Sequence, residues 1–208
     1  MAKRLFDILF SGCVLIFGSP LYLLLILLVK CTSKGPVFYG GRRMGQGGKL
    51  MFCWKFRTMC VDAEQRLQKL LDSDPALKEE WQKYFKLKND PRLTRLGKFL
   101  RKSSLDEFPQ FWNVLRGDLS IVGPRPIAID HPERANEEIR RHFGEKTDKI
   151  LSVRPGLTCI WTTCGRNLLT FEERIHLEER YIDTKSFLLD LMIIFRTIGI
   201  VIFPKGAF

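Results

Sequence analysis

The hydrophobic pattern sets the first constraint. From Ile8 to Val29 the chain runs 22 residues without a charge. As one straight helix that stretch reaches roughly 33 Å, about the hydrocarbon thickness of a bilayer. Gly18-Ser19-Pro20 interrupts it near the middle. Proline withholds a backbone donor and crowds the preceding turn, so the pattern predicts a helix kinked at Ser19 and Pro20. The serine hydroxyl is placed to bond a carbonyl that the proline leaves over. Lys3 and Arg4 precede the run and Lys30 and Lys34 follow it, which favours both ends on the cytoplasmic side. Three readings stand on these residues: a plain span, a re-entrant hairpin, and a signal segment. The signal reading lacks a small-x-small cleavage pattern, because the chain continues Val29-Lys30-Cys31-Thr32.

Beyond the apolar run the period changes. Pro36-Val37-Phe38-Tyr39 predicts a short strand, Gly45-Gln46-Gly47-Gly48 a turn, and Leu50 to Phe56 a returning strand. The stretches Asp62 to Leu71 and Pro75 to Leu87 predict two charged surface helices broken at Ser73-Asp74-Pro75. Arg92 to Arg101 predicts a basic helix with Leu93, Leu96 and Leu100 on one side. Phe111, Trp112 and Leu115 recur at helical spacing ahead of a capping Gly117. Ile121 to Pro126 predicts a stiff turn carrying Arg125, and Glu133 to Phe143 and Thr170 to Ile182 two more polar helices. Phe187 to Phe203 is apolar except for Asp190 and Arg196. Two internal charges weigh against a second span, so this segment is expected on the body or in a membrane interface. The expected class is α+β, mostly helical, with one small β-hairpin.

The 208 residues are 45% hydrophobic and 27% charged, enough for a folded core. Lysine and arginine number 34 against 23 acidic residues, a net charge of +11. This excess calls for an anionic partner: nucleic acid, an anionic membrane surface, or phosphorylated small molecules. Six cysteines without a C-x-x-C pair and three scattered histidines argue against a closed zinc site. The cysteines read as reduced thiols in a cytosolic environment.

Asp106-Glu107 is the centre of chemical interest. Ser104-Leu105-Asp106-Glu107 matches an S-x-x-E capping box, a structural role. The surroundings point further. Arg92, Arg95, Lys98, Arg101 and Lys102 lie upstream, and Arg125 lies downstream between two prolines. Carboxylates ringed by guanidinium groups suit phosphate chemistry: the cations bind anionic oxygens while one carboxylate holds a metal ion or attacks phosphorus. Consecutive helical residues point about 100° apart, so the two acids are expected to take different roles.

Asn89 to Gln110 and Asn113 to Pro126 closely resemble the bacterial sugar transferases that are monotopic phosphoglycosyl transferases. Lys55-Phe56-Arg57-Thr58-Met59, Arg154-Pro155-Gly156-Leu157-Thr158, Gly165-Arg166-Asn167, Lys3-Arg4-Leu5-Phe6-Asp7 and Ser19-Pro20 are similar to flanking motifs of that family. The likeness runs along essentially the whole chain, as a minimal catalytic unit. It departs from the family pattern at Gly40-Gly41 and at Cys159 to Cys164. The resemblance implies transfer of a sugar 1-phosphate from a UDP-sugar to undecaprenyl (polyprenyl) phosphate with release of UMP, initiating a surface glycan. It implies Asp106 as nucleophile, with a covalent phosphosugar intermediate, and Glu107 as its partner at a Mg2+ ion or a proton. Arg101 and Arg125 are implied as phosphate-binding, Lys55 and Arg57 as residues near the site, and Asp106 and Glu107 as metal ligands. It also implies a re-entrant membrane helix over residues 1–34, broken at Ser19 and Pro20. Residues 35–208 follow as a catalytic domain with interfacial helices on the cytoplasmic face of the bacterial inner membrane. A homodimer is left open, and no nucleic-acid partner is expected. The rival readings are a non-enzymatic, membrane-anchored basic module that binds acidic lipid or nucleic acid, and a glycosyltransferase that releases UDP.

Overall fold

The computed structural model describes residues 2–84, 87–129, 131–165 and 169–202. Helices α1 (Ala2–Phe17) and α2 (Ser19–Thr32) replace any straight rod with a 64° bend at the predicted break. Pro20 cannot donate to the carbonyl four residues back, that of Ile16. The Ser19 hydroxyl donates to that same carbonyl at 2.8 Å, repairing the bond the proline removes. No single helix among the described residues is long and apolar enough to cross a membrane; the bent α1–α2 pair passes that test together. Leu9, Phe17, Leu23 and Leu27 are exposed on it.

Strands β1 (Phe38–Met44) and β2 (Leu50–Phe56) form the expected antiparallel hairpin, with Tyr39 opposite Lys55 and Gly41 opposite Cys53. The first strand starts later and runs longer than predicted, and Gly40 and Gly41 lie inside it. The charged stretch gives α3 (Ala63–Ser73) and α4 (Pro75–Tyr84), separated by Asp74; Phe85 lies outside the described residues. The basic helix is α5 (Arg95–Lys102). It begins three residues later than its pattern because Thr94 caps it, accepting from the Gly97 N–H at 2.9 Å. Arg92 stays outside, buried and bidentate to Asp90. Helix α6 (Gln110–Arg116) ends at Gly117, as predicted.

The Ile121 to Pro126 segment is not only a turn. Strand β3 (Ser120–Val122) pairs in parallel with β4 (Gly156–Thr158), a second two-stranded sheet that local patterning did not reveal. The remaining helices are α7 (Ala135–Phe143), α8 (Thr147–Leu151), α9 (Ile160–Thr163), α10 (Phe171–Thr184) and α11 (Phe187–Ile202). Thr170 and Glu173 form a reciprocal capping box at the start of α10. The chain is thus α+β and mostly helical. Among the described residues, apolar side chains gather in three clusters, one of which (Leu25, Val29, Phe56 and Leu100) joins α2, the hairpin and α5.

Polar side chains fasten α1 to the body. Arg4 donates to the Val114 and Leu115 carbonyls at the end of α6, at 2.6 and 2.7 Å. Asp7, 1% exposed, accepts from the Ser120 hydroxyl and the Ile121 N–H. Lys3 pairs with Asp190, which also accepts from the Tyr181 hydroxyl. The expected interruption of the last apolar segment is therefore a buried anchor point. Ile193 and Ile194 of α11 face the core while Leu188 and Phe195 are exposed, so the helix packs on the body and leaves an apolar outer face. Asp7→Ala strands two buried donors and should cost about 3 kcal/mol. Thermal unfolding of the purified protein reads this; a midpoint unchanged within about a degree would show that Asp7 is not a fastening.

Candidate active site

The dyad lies on a tight bend between α5 and α6. Ser104 adopts φ 57°, the single non-glycine left-handed residue among those described. Such a conformation costs of order 1 kcal/mol and persists where its surroundings enforce it. It reverses the chain after α5 and starts one 3-10 turn, Leu105–Glu107. The capping box expected at Ser104 does not form, because no side-chain bond caps this turn. A left-handed backbone does not offer the extended N-cap geometry in which a serine hydroxyl reaches the third N–H.

This bend directs Asp106 inward, leaving it 6% exposed, while the Glu107 side chain keeps 25%. Lys55 reaches both from the hairpin, with Nζ 2.6 Å from Glu107 Oε1 and 3.9 Å from Asp106 Oδ2. Arg125 approaches from the far side, its Nη2 3.9 Å from Glu107 Oε1. Burial pushes the Asp106 carboxyl up to about 6; Lys55 pulls against that shift and the Glu107 charge adds to it. Arg101 acts on Asp106 in the same sense as Lys55, more weakly.

Each cation is held in place. Asn113, fully buried on α6, accepts from the Trp54 N–H and donates to the Phe52 carbonyl. That clasp fixes α6 against β2 beside Lys55. Arg101 Nε donates to the Thr58 hydroxyl at 3.0 Å. Thr58 is brought that close because Gly97 lacks a side chain: a Cβ there would run into the Thr58 carbonyl. Arg57 is placed differently. It is buried, and its Nη2 donates to the Ser33 carbonyl and hydroxyl at the end of α2. Lys55, Asp106, Glu107, Arg101 and Arg125 therefore converge, whereas Arg57 joins the end of α2 to the hairpin. Arg166 and Asn167 lie outside the described residues.

Residues 1–204 match the family described as bacterial sugar transferase. The chain belongs to that family. It is 42% identical to the undecaprenyl-phosphate galactose phosphotransferase of Salmonella typhimurium, over 99% of this chain and 41% of that protein. It is likewise 42% identical to the exopolysaccharide production protein ExoY of Sinorhizobium fredii, over 100% of this chain and 88% of that one. Identity to the Klebsiella pneumoniae UDP-glucose:undecaprenyl-phosphate glucose-1-phosphate transferase is 39%, over 99% and 41%. The chain thus spans about two fifths of the length of several curated relatives it matches.

In this member of the family the dyad supplies carboxylate oxygens alone, and no group of three His, Cys, Asp or Glu converges among the described residues. That donor set suits a hard cation that completes its shell with water and phosphate oxygens. Cys53 is buried nearby, and burial pushes its thiol up to about 11, so it stays protonated near neutral pH. Sequence patterning assigned no role to Thr58, Asn113 or Glu178. Thr58 and Asn113 fall inside stretches that carry the resemblance, but nothing local singles them out from their neighbours; Glu178 lies in a helix that reads as polar and solvated.

Proposed function

We propose that this chain transfers a sugar 1-phosphate from a UDP-sugar to undecaprenyl or another polyprenyl phosphate. Asp106 attacks the sugar-bearing phosphorus; the bond to the bridging oxygen breaks and UMP leaves with that oxygen. An oxygen of the polyprenyl phosphate then attacks the same phosphorus, and the bond to Asp106 breaks, restoring the carboxylate. The observation that carries this reading is the convergence of Lys55 and Arg125 on an acid pair whose first member, Asp106, is buried. The names of the relatives, which specify undecaprenyl phosphate as acceptor, support it.

Lys55 holds Glu107 and biases Asp106 toward its charged, nucleophilic form. Arg101 and Arg125 offset charge on the diphosphate and on departing UMP, an electrostatic contribution that grows where water is excluded. Mg2+ suits the carboxylate donors; Asp106 and Glu107 would hold it, and it would supply charge neutralisation on the phosphates. A bonded halfway state lets a water-soluble donor and a lipid acceptor, whose phosphates repel, use one site in turn. Incubation with labelled UDP-sugar and no acceptor should release one equivalent of UMP and leave label on Asp106. Release of UDP, or label that never joins the protein, would sink the proposal.

The bent α1–α2 pair, its exposed apolar side chains and the apolar outer face of α11 support attachment to the cytoplasmic leaflet through a re-entrant helix. Replacing Ser19 and Pro20 together by alanine should straighten the pair into a span. A cysteine introduced at the N-terminus should then become reactive to a membrane-impermeant reagent from the periplasmic side. Labelling of that cysteine without the two replacements would exclude re-entry.

A further inference from the structure

Arg125 stands between Pro124 and Pro126. Neither proline has a backbone N–H, so the one donor of this tripeptide belongs to Arg125. It is donated to Glu178 Oε1 at 3.1 Å. The Arg125 carbonyl accepts from Arg174 Nη2, also at 3.1 Å. Arg174 and Glu178 are four residues apart on α10 and so share one face of that helix. Two side chains of a single helix therefore grip both polar groups of one residue. The Arg125 side chain is steadied as well. Its guanidinium lies over the Trp161 ring at 5.4 Å, with that of Arg174 over the same ring at 5.3 Å. Its free end then reaches toward Glu107.

Glu178 is 1% exposed. Burial pushes its carboxyl up to about 7, opposed by the Arg125 N–H and the Arg174 charge. An apolar residue here would leave the Arg125 N–H without its acceptor.

We infer that Glu178 and Arg174 are positioning residues: they fix the Arg125 peptide so that its guanidinium meets diphosphate oxygens beside Glu107. The inference rests on the proposed function for the identity of the anion. The geometry gives the division of labour. Arg125 touches the ligand, and the pair on α10 acts only through Arg125.

A double-mutant cycle tests this with UDP as probe, because it presents the two phosphates of the proposed donor. Binding is measured by calorimetry on the solubilised full chain with Mg2+. Arg125→Ala should weaken UDP binding at least about tenfold, and Glu178→Leu about fivefold or more. Glu178→Leu should add nothing in the Arg125→Ala background, since there is no longer a guanidinium to aim. Glu178→Gln retains an acceptor oxygen and should bind within about threefold of wild type. Should Glu178→Leu fail to fold, Arg174→Met takes its place in the cycle with the same expectation. Equal losses from Glu178→Leu with and without Arg125 would mark a general structural role and overturn the inference, as would unchanged binding in Glu178→Leu or in Arg125→Ala. Undetectable UDP binding by the unaltered protein would overturn it too. Failure of UMP release with this binding pattern intact would remove only the proposed reaction.

Discussion

Asp106→Asn should abolish sugar-phosphate transfer, by at least about 10³-fold, while making the metal-free protein more stable at pH 8. The two effects share one cause. In the proposed reaction, removing Asp106 takes away the first bond-forming partner, and losses of an activated nucleophile run to several orders of magnitude. Stability moves the other way because the carboxyl is raised from 3.8 to about 6 by burial. Between those two values its folded form holds a proton that the unfolded chain has already lost. The contribution of the protonated group is fully present below pH 3.8 and is lost as pH rises through about 6. Asparagine cannot ionise and keeps that contribution at every pH. The rise from 3.8 to about 6 corresponds to roughly 3 kcal/mol, an upper figure for the gain at pH 8 that should vanish near pH 4. Thermal unfolding at both pH values, beside a turnover assay, separates this from misfolding. Retention of more than about a tenth of wild-type turnover would remove Asp106 from the nucleophile role.

Lys55→Met should lower turnover at neutral pH about 100-fold. Methionine keeps much of the side chain's volume and removes the charge. Glu107 then loses its 2.6 Å partner, and Asp106 loses its largest favourable electrostatic neighbour. Two adjacent carboxylates would share the bend with Arg125 and Arg101 as the nearest counter-charges. The Asp106 carboxyl should therefore rise above about 6, disfavouring the attacking form and loosening the geometry of Glu107. A hundredfold loss is about 2.7 kcal/mol, in the range of a single electrostatic contact at a water-poor site. Steady-state kinetics on wild type, Lys55→Arg and Lys55→Met provide the check. Arginine should retain part of the rate; equal rates for Met and wild type would make Lys55 a structural residue.

Much of the site is legible along the chain, because its acids and its nearest arginines are close in sequence. Asp106, Glu107 and Arg101 lie within one short stretch, and the two prolines around Arg125 announce a rigid turn. The Ser104 motif misleads for a physical reason. S-x-x-E specifies a capping box only if the serine backbone is extended, and here the reversal from α5 into the next turn puts it in the left-handed region. The start of α5 is displaced by a similar competition: Arg92 has helical spacing but is drawn into a buried pair with Asp90, so the helix waits for the Thr94 cap.

The sequence alone determined where the chain bends and where it alternates. Pro20 must free a carbonyl, Ser19 is next to it, and the hairpin follows from period-two patterning around glycines, all within a few residues. Tertiary structure decided which remote segments meet. It brings Lys55 to Glu107, Arg4 to the end of α6, Glu178 to Arg125 and β3 to β4. Local periodicity carries the shape of each element, whereas these partners are chosen by the shared burial of distant faces. A polar residue that reads as solvated along its own helix becomes an anchor once another segment covers it.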